Sequence, residues 1–103
     1  MKHIEDLLVV KNTALNPYYF LLELRSESKL PNILPGNFVN VLVQGVSDRI
    51  LRRPISIHDV NYEKNSFSLV VQKIGKATQQ LSLIKKGESL SVVFPLGNSF
   101  PLD

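Results

Sequence analysis

Short stretches of alternating apolar residues, separated by turn signals, are the feature that most limits how this chain can fold. In one of them Phe20, Leu22 and Leu24 occupy every second position. Because successive side chains of a strand point to opposite faces of a sheet, this spacing is typical of a strand with one buried face. The same reasoning predicts strands at residues 4–10, 18–25, 37–43, 54–60, 67–74 and 89–94.

One segment has a different period. Ala77, Leu81 and Ile84 follow the spacing i, i+4, i+7, which predicts one helix over residues 76–86. Gly87 stands where a C-terminal glycine belongs, and the lysines at 85–86 suit the negative end of a helix dipole. Six strands, with a helix between the fifth and the sixth and no regular strand–helix alternation, predict an all-β antiparallel sandwich or barrel.

Length and composition exclude several classes of protein. The 103 residues fit one domain, and no apolar run is long enough to cross a membrane. The absence of cysteine excludes disulfides, thiolate metal sites and cysteine nucleophiles. His3 and His58 are far apart in sequence, so a zinc centre is not expected. With no signal-peptide pattern at the N-terminus, we expect a cytoplasmic protein without a membrane partner.

The net charge of +3 is concentrated in one part of the chain. An excess of positive charge in one segment indicates an anionic ligand or partner, and the alternative is a solvated basic surface. Between residues 49 and 86, Asp59 and Glu63 oppose the basic residues Arg49, Arg52, Arg53, Lys64, Lys73, Lys76, Lys85 and Lys86.

The first candidate site is the run Arg52-Arg53-Pro54-Ile55-Ser56. Guanidinium groups match phosphate oxygens, and Pro54 fixes its own φ and biases Arg53 towards an extended conformation. Ser56 adds a hydroxyl that can donate or accept a hydrogen bond. Guanidinium groups beside an extended strand edge suit a flat, anionic cofactor. The alternative is a surface arginine pair on an ordinary strand.

The second candidate site is Gly75-Lys76-Ala77-Thr78, at the predicted start of the helix. Free N–H groups at a helix start can bind an anion, whereas the simpler alternative is N-terminal capping by Thr78. The spacing is not that of a P-loop. The Pro-Gly pair at 35–36 is best explained as a turn into a strand, and the tail around residues 96–98 is ambiguous. No catalytic residue and no metal ligand is assigned.

In this order, these motifs resemble the FAD-binding domain of the ferredoxin–NADP⁺ reductase superfamily. Residues 51–57 and 95–100 make the chain similar, more narrowly, to the electron-transfer subunit of bacterial two-subunit dihydroorotate dehydrogenase. The resemblance implies a six-stranded antiparallel Greek-key barrel with one α-helix between strands five and six. It assigns residues 1–101 to the FAD-binding barrel, and the family's nucleotide-binding and iron–sulfur domains are absent from this chain.

The resemblance also implies which residues hold the cofactor. Arg53 would hold the FAD pyrophosphate together with the helix start, while Ile55, in place of the aromatic residue of many relatives, would line the isoalloxazine with an aliphatic side chain. The segment before Gly75 would run along the ribityl chain and the ring edge. The implied cofactor-binding set is Arg53, Pro54, Ile55, Ser56, Val71, Gln72, Lys73, Gly75, Lys76, Ala77 and Thr78.

The implied function is flavin-dependent electron transfer in pyrimidine biosynthesis. The partners would be a catalytic dehydrogenase subunit that oxidises dihydroorotate and NAD(P)H, which would act through the missing domain. A [2Fe–2S] centre would belong to the longer family members and not to this chain, which alone is not expected to complete the reaction. Two alternatives are a cofactor-free interaction module and a barrel that binds single-stranded nucleic acid. The second needs exposed aromatic platforms, whereas the phenylalanines here lie in core-facing patterns, so no nucleic-acid partner is expected.

Overall fold

The computed structural model describes residues 3–27, 29–30, 33, 37–44 and 50–96, and most of them lie in strands. The predicted turn at residues 35–36 and the tail from residue 97 onwards lie outside the described residues. The elements are β1 (His3–Ala14), β2 (Tyr19–Arg25), β3 (Phe38–Gln44), β4 (Ile50–Asn61), β5 (Ser66–Gln72), α1 (Lys76–Leu81) and β6 (Ser89–Leu96).

The six strands form a closed antiparallel barrel in the order β1-β2-β5-β4-β3-β6. The consecutive strands β3, β4 and β5 are neighbours, and β2 lies on the far side of β5. A long connection that returns a strand to the edge of three consecutive ones is the Greek-key arrangement. The predicted all-β barrel, with its helix between the fifth and sixth strands, is therefore confirmed.

The barrel interior is filled by the alternating residues that the sequence pattern predicts. Phe20, Leu22 and Leu24 of β2 are buried, and Leu22 and Leu24 lie opposite Leu69 and Phe67 of β5. Burial of each such side chain stabilises the fold by about 1.5–3 kcal/mol. A register slip of one residue would turn all of them outwards, so the core fixes how these two strands pair.

The helix is shorter than predicted. It ends at Leu81, with Ser82 as its C-cap, whereas the apolar spacing predicts a helix to residue 86. Ile84 still packs against the core, but it does so from a turn. The side-chain amide of Asn12 donates to the carbonyls of Ser82 and Ile84 at 3.0 and 2.8 Å. These bonds give partners to two carbonyl groups that lie beyond the end of α1, where the N–H groups of the helix do not reach.

Gly87 does not cap the helix. It has a φ of 95° in a later turn, and its N–H donates to the carbonyl of Val9 at 2.9 Å. Lys85 and Lys86 follow the helix instead of forming its last turn, so their predicted interaction with the helix dipole is wrong. The left-handed φ still explains why glycine occupies this position.

Four strand boundaries differ from the prediction by two residues or more. β1 continues to Ala14, β4 begins at Ile50, β5 ends at Gln72, and β6 ends at Leu96. The early start of β4 follows from pairing with β3, in which Arg52 and Arg53 lie opposite Leu42 and Val41. Backbone pairing with β3 makes residues 50–53 part of a strand, although their side chains do not alternate in polarity.

Candidate functional site

The candidate site lies where β4 and β5 separate. β4 pairs with β3 from Ile50 to Ser56, but its pairing with β5 covers Ile57 to Asn61, with a shift of register between Ile57 and Asp59. Beyond Leu69, β5 continues to pair with β2 as far as Gln72. The two strands therefore part in the middle of the sheet, and α1 follows at the end of β5.

This separation opens a cleft of about 480 Å³, within the range of small-molecule and cofactor sites. The side chains along it are mainly aliphatic, with one guanidinium group, two hydroxyls and one amide, and none of the ten lining residues is acidic. The lining residues are Arg53, Pro54, Ile55, Ser56, Val70, Val71, Gln72, Ile74, Gly75 and Thr78.

The wall formed by β4 presents backbone groups as well as side chains. The N–H of Ile57 donates to the carbonyl of Asn37 at 3.2 Å, on the side of β3. Since successive backbone groups of a strand point to alternate edges, Ser56 directs its N–H and C=O towards the cleft. Pro54 has no N–H, and proline is tolerated where a strand edge lacks a ladder partner.

The two adjacent arginines lie on different sides of β4. Arg53 lines the cleft. Arg52 reaches over the outside of the barrel, where its guanidinium donates to the carbonyl of Asn40 at 3.4 Å and to the hydroxyl of Ser91 at 3.3 Å. Strand alternation separates the pair, so Arg53 is the one whose charge can meet a ligand in the cleft.

The opposite wall is the turn that begins α1. Gly75 is the N-cap, and Thr78, the third helical residue, is buried. The Thr78 hydroxyl accepts the N–H groups of Ile74 and Gly75 at 3.0 and 3.1 Å and donates to the Gly75 carbonyl at 3.1 Å. Thr78 is therefore not the N-cap residue, and its hydroxyl holds the turn in shape.

The first turn of α1 leaves backbone donors available. Gln79 makes the first helical bond, from its N–H to the Gly75 carbonyl at 3.0 Å. The N–H groups of Lys76, Ala77 and Thr78 precede that bond and have no acceptor within the helix. The first turn contains no acidic residue that would compensate the positive end of the helix.

Gly75 leaves space in front of this turn. Its φ of −158° and ψ of −179° are extended, so the backbone itself does not require glycine. A Cβ at this position would meet no heavy atom within 4 Å. The absent side chain therefore leaves room for a ligand atom to approach the backbone closely.

The structure brings eight of the eleven predicted cofactor-binding residues to the cleft and leaves three away from its lining. Among those three, Ala77 is buried in the core, Lys76 is exposed, and Lys73 is half-buried. Two lining residues, Val70 and Ile74, were not predicted. Only their position in the sequence could have indicated them, since Val70 precedes Val71 on β5 and Ile74 precedes Gly75 at the turn. The binding role of each residue stays a prediction.

Comparison with known proteins identifies the family. The family model described as "Oxidoreductase FAD-binding domain" matches residues 6–100. The chain belongs to this family. FAD as the cofactor is thereby confirmed at the level of the family, and the flavin interpretation is favoured over the interaction module and the nucleic-acid-binding barrel.

Relatives of this FAD-binding domain include subunits of a named enzyme. The chain is 33% identical over 99 residues to the "Dihydroorotate dehydrogenase B (NAD(+)), electron transfer subunit" of Lysinibacillus sphaericus, covering 96% of this chain and 38% of that protein. It is 36% identical over 105 residues to the subunit of the same name from Bacillus cereus, covering 100% and 40%. The chain thus spans about 40% of the length of these relatives.

Solved structures show the same barrel. A structure of NADH-dependent reduced ferredoxin-NADP oxidoreductase is similar with a TM-score of 0.75 and 33% identity, over 89% of this chain and 33% of that one. Phthalate dioxygenase reductase matches with a TM-score of 0.75 and 22% identity, over 97% and 32%, and so shows the fold alone. Within the described residues, no helix is long and apolar enough to cross a membrane.

The residues of the cleft fit FAD. Aliphatic walls suit a flat ring system, while Arg53 and the helix start suit phosphate oxygens. The open space before Gly75 allows close approach to the backbone. The absence of acidic residues among the ten that line the cleft leaves nothing there to repel a diphosphate.

Proposed function

We propose that this FAD-binding domain works in the electron-transfer subunit of a dihydroorotate dehydrogenase, in pyrimidine biosynthesis. The observation that carries the proposal is the cleft between β4 and the start of α1, which has an arginine on one wall and free backbone donors on the other. The identity to subunits of that name supports the assignment. A cytoplasmic location is part of the proposal, and the lack of cysteine in these 103 residues fits the reducing conditions there.

Different residues of the cleft would bind the pyrophosphate and the ring system of the cofactor. Arg53 and the N–H groups of residues 76–78 would hold the pyrophosphate through charge-assisted and backbone hydrogen bonds. Ile55 and Val71 would pack on the ring system, and Ser56 would direct its N–H and hydroxyl to it. The segment 71–73 would follow the ribityl chain. The Thr78 hydroxyl, engaged in its turn, would act by shaping the backbone.

Bound FAD supplies the redox chemistry, namely the exchange of electrons between a nicotinamide and one-electron carriers. The contribution of this chain is to bind the flavin, orient it and limit the access of water. We place the nicotinamide site and the [2Fe–2S] centre in domains other than the barrel of residues 1–101. The partner that oxidises dihydroorotate would be a separate catalytic subunit, so this chain alone is not expected to complete the transfer.

Titration with FAD, followed by flavin fluorescence and the visible spectrum, tests the proposal. The wild-type chain should bind FAD, and Arg53→Ala should weaken binding by roughly tenfold to a hundredfold, because a hydrogen bond to a charged group contributes about 1.5–3 kcal/mol. Arg52→Ala is the matched control, since it removes the same charge from the neighbouring residue on the outside of the barrel.

Two outcomes would count against the proposal. A wild-type protein that takes up no flavin at tens of micromolar FAD would contradict binding in the cleft. Equal weakening by Arg53→Ala and Arg52→Ala would show that net charge, and not a pyrophosphate contact from Arg53, governs binding. Thermal unfolding should be similar for both variants, because both side chains are exposed.

A further inference from the structure

Asn12 makes two hydrogen bonds that connect the first strand of the barrel with the end of α1. Its side-chain amide donates to the carbonyls of Ser82 and Ile84, which are 70 and 72 positions away along the chain. Ser82 is the C-cap of α1, and the first turn of the same helix forms one wall of the cleft. The Asn12 bonds therefore attach to the opposite end of the element that carries this wall.

A β-bulge directs the Asn12 side chain towards the helix. The pairing of β1 with β2 is irregular just after Val9, where β1 contains one extra residue. As a result Val9 lies opposite Leu24 and Asn12 lies opposite Leu22, and both leucines are buried. Residues opposite one another point to the same face, so Asn12 points to the inner face of the barrel. Regular alternation from the buried Val9 would point Asn12 outwards, and bulges re-aim side chains in this way.

The turn after α1 is also bonded to the backbone of β1. The N–H of Gly87 donates to the carbonyl of Val9 at 2.9 Å, and the N–H of Val9 donates to the carbonyl of Glu88 at 2.8 Å. These bonds extend the pairing of β6 with β1, whose ladder reaches Leu8 and Ser89. Residues 82–88 are thus held near β6 by the backbone of β1 and near α1 by the side chain of Asn12.

The direction of α1 depends on such attachments because the helix is short. Its six residues span about 9 Å, and Ala77, Thr78 and Leu81 are its buried residues. Apolar packing is not directional, whereas hydrogen bonds are, so burial of one face leaves the tilt of a short helix adjustable. A displacement of Ser82 reaches Gly75 through less than two helical turns.

The bonds at the start of α1 have a different reach. The Thr78 hydroxyl closes the first turn on itself, which fixes the shape of the turn but not its position on the barrel. The N–H of Lys73 donates to the carbonyl of Tyr18 at 2.8 Å and holds the chain just before the turn. Asn12 adds an attachment to the barrel at the other end of the helix, and two attachments define a direction that one does not.

We propose that Asn12 is a positioning residue for FAD binding. Through Ser82 and Ile84 it holds α1 in the direction in which the turn around Gly75 faces Arg53 across the cleft. Asn12 is half-buried and is not among the ten residues that line the cleft, so it acts on the cofactor only through the helix. The inference rests on the proposed function, because it takes FAD to lie in this cleft.

The test uses Asn12→Leu, which removes the donor at nearly constant size, and Asn12→Ala, which removes it and admits water to the two carbonyls. In the flavin-free chain, hydrogen–deuterium exchange read by mass spectrometry should be about tenfold faster over residues 74–79 in both variants, because the helix start opens more readily. In a fluorescence titration, the dissociation constant for FAD should rise by about tenfold, because binding groups have to be held within about 0.5 Å of their working geometry.

Tyr62→Phe is the matched control. It also removes two hydrogen bonds between a side chain and the backbone, those of its hydroxyl with Ile33, and Tyr62 does not line the cleft. Exchange over residues 74–79 and FAD affinity should both stay within about twofold of the wild type. A role of Asn12 in general stability alone would make its variants behave like this control.

The outcomes separate this inference from the function on which it rests. Wild-type FAD affinity in both Asn12 variants would overturn the inference, whether or not exchange over residues 74–79 is faster. Weaker FAD binding with unchanged exchange, or equal weakening by Tyr62→Phe, would show that Asn12 does not act through α1 and would overturn it as well. A wild-type chain that takes up no flavin would contradict the proposed function and the inference together, and the exchange of the flavin-free chain would still report whether Asn12 holds α1.

Discussion

β4 and β5 are paired along one part of their length, the closed half, and separated along the other, the open half, and the two halves differ in what they contribute. In the closed half, Ile57–Asn61 pairs with Ser66–Leu69, and Phe67 and Leu69 are buried in the barrel. In the open half, residues 53–56 face residues 70–72 across the cleft without a ladder between them. The same two strands thus supply a stabilising ladder at one end and, at the other, the cleft that we propose as the cofactor site.

Each half is accompanied by one hydroxyl that bonds to the backbone in both directions. Near the closed half, the Tyr62 hydroxyl accepts the N–H of Ile33 at 3.0 Å and donates to its carbonyl at 3.1 Å. Near the open half, the Thr78 hydroxyl bonds in the same manner to Ile74 and Gly75. The two hydroxyls make similar pairs of bonds to the backbone, so variants of both can show whether the halves differ in function.

The largest effect is expected in the closed half, from Leu69→Ala. Leu69 has no exposed surface, and truncation of a buried leucine costs about 2–5 kcal/mol of unfolding free energy. Urea denaturation monitored by circular dichroism measures this loss. Leu83→Ala should cost little, because Leu83 is 66% exposed. A loss below about 1 kcal/mol for Leu69→Ala would contradict the closed half as a source of stability.

The core of the barrel, to which the closed half contributes, was largely predictable from sequence, because burial follows strand alternation. Phe20, Leu22 and Leu24 are buried as their spacing predicts. The helix was less predictable. Its apolar spacing correctly marked Ile84 as a core residue, but that side chain reaches the core from a turn whose carbonyls Asn12 satisfies. A bond between residues 72 positions apart leaves no signal in a local pattern.

The open half was predictable in its residues but not in its shape. The motif containing Arg53 and the turn containing Gly75 have chemistry that suits an anion, and both line the cleft. β4 separates from β5 beyond Ile57, next to a register shift between Ile57 and Asp59, and a local sequence pattern does not show where the pairing of two strands ends. Without that separation, Val70 and Ile74 have no reason to be assigned to the site.

A smaller effect, expected in both stability and binding, comes from Thr78→Val in the open half. Valine keeps the shape of threonine, but it leaves the N–H groups of Ile74 and Gly75 without their acceptor, which should cost about 1–3 kcal/mol. The turn that carries Gly75 would lose its shape, so FAD affinity in a fluorescence titration should fall as well. Thr78→Ser retains the hydroxyl and should restore most of both quantities.

Tyr62→Phe provides the comparison for Thr78→Val. It removes the two bonds to Ile33 and should lower the unfolding free energy by about 1 kcal/mol per bond, while FAD affinity stays unchanged. The two variants therefore separate a general loss of stability from a loss of the binding surface. If Tyr62→Phe weakens FAD binding as much as Thr78→Val does, the two halves are coupled and the division between them is wrong.

The smallest expected change in stability, with a distinct loss of binding, is that of Gly75→Ala. The extended backbone at Gly75 accepts any residue and the new methyl group meets no protein atom within 4 Å, so stability should change by less than about 1 kcal/mol. If FAD occupies the space in front of the turn, the methyl group should weaken its binding, measured as a rise in the dissociation constant of about tenfold. Gly87→Ala reverses this pattern: its φ of 95° makes alanine strained by about 1–2 kcal/mol, yet it lies outside the cleft lining, so FAD affinity should not change. Wild-type FAD affinity in Gly75→Ala would show that the cofactor does not occupy the space in front of Gly75, and would contradict a close approach of FAD to this turn.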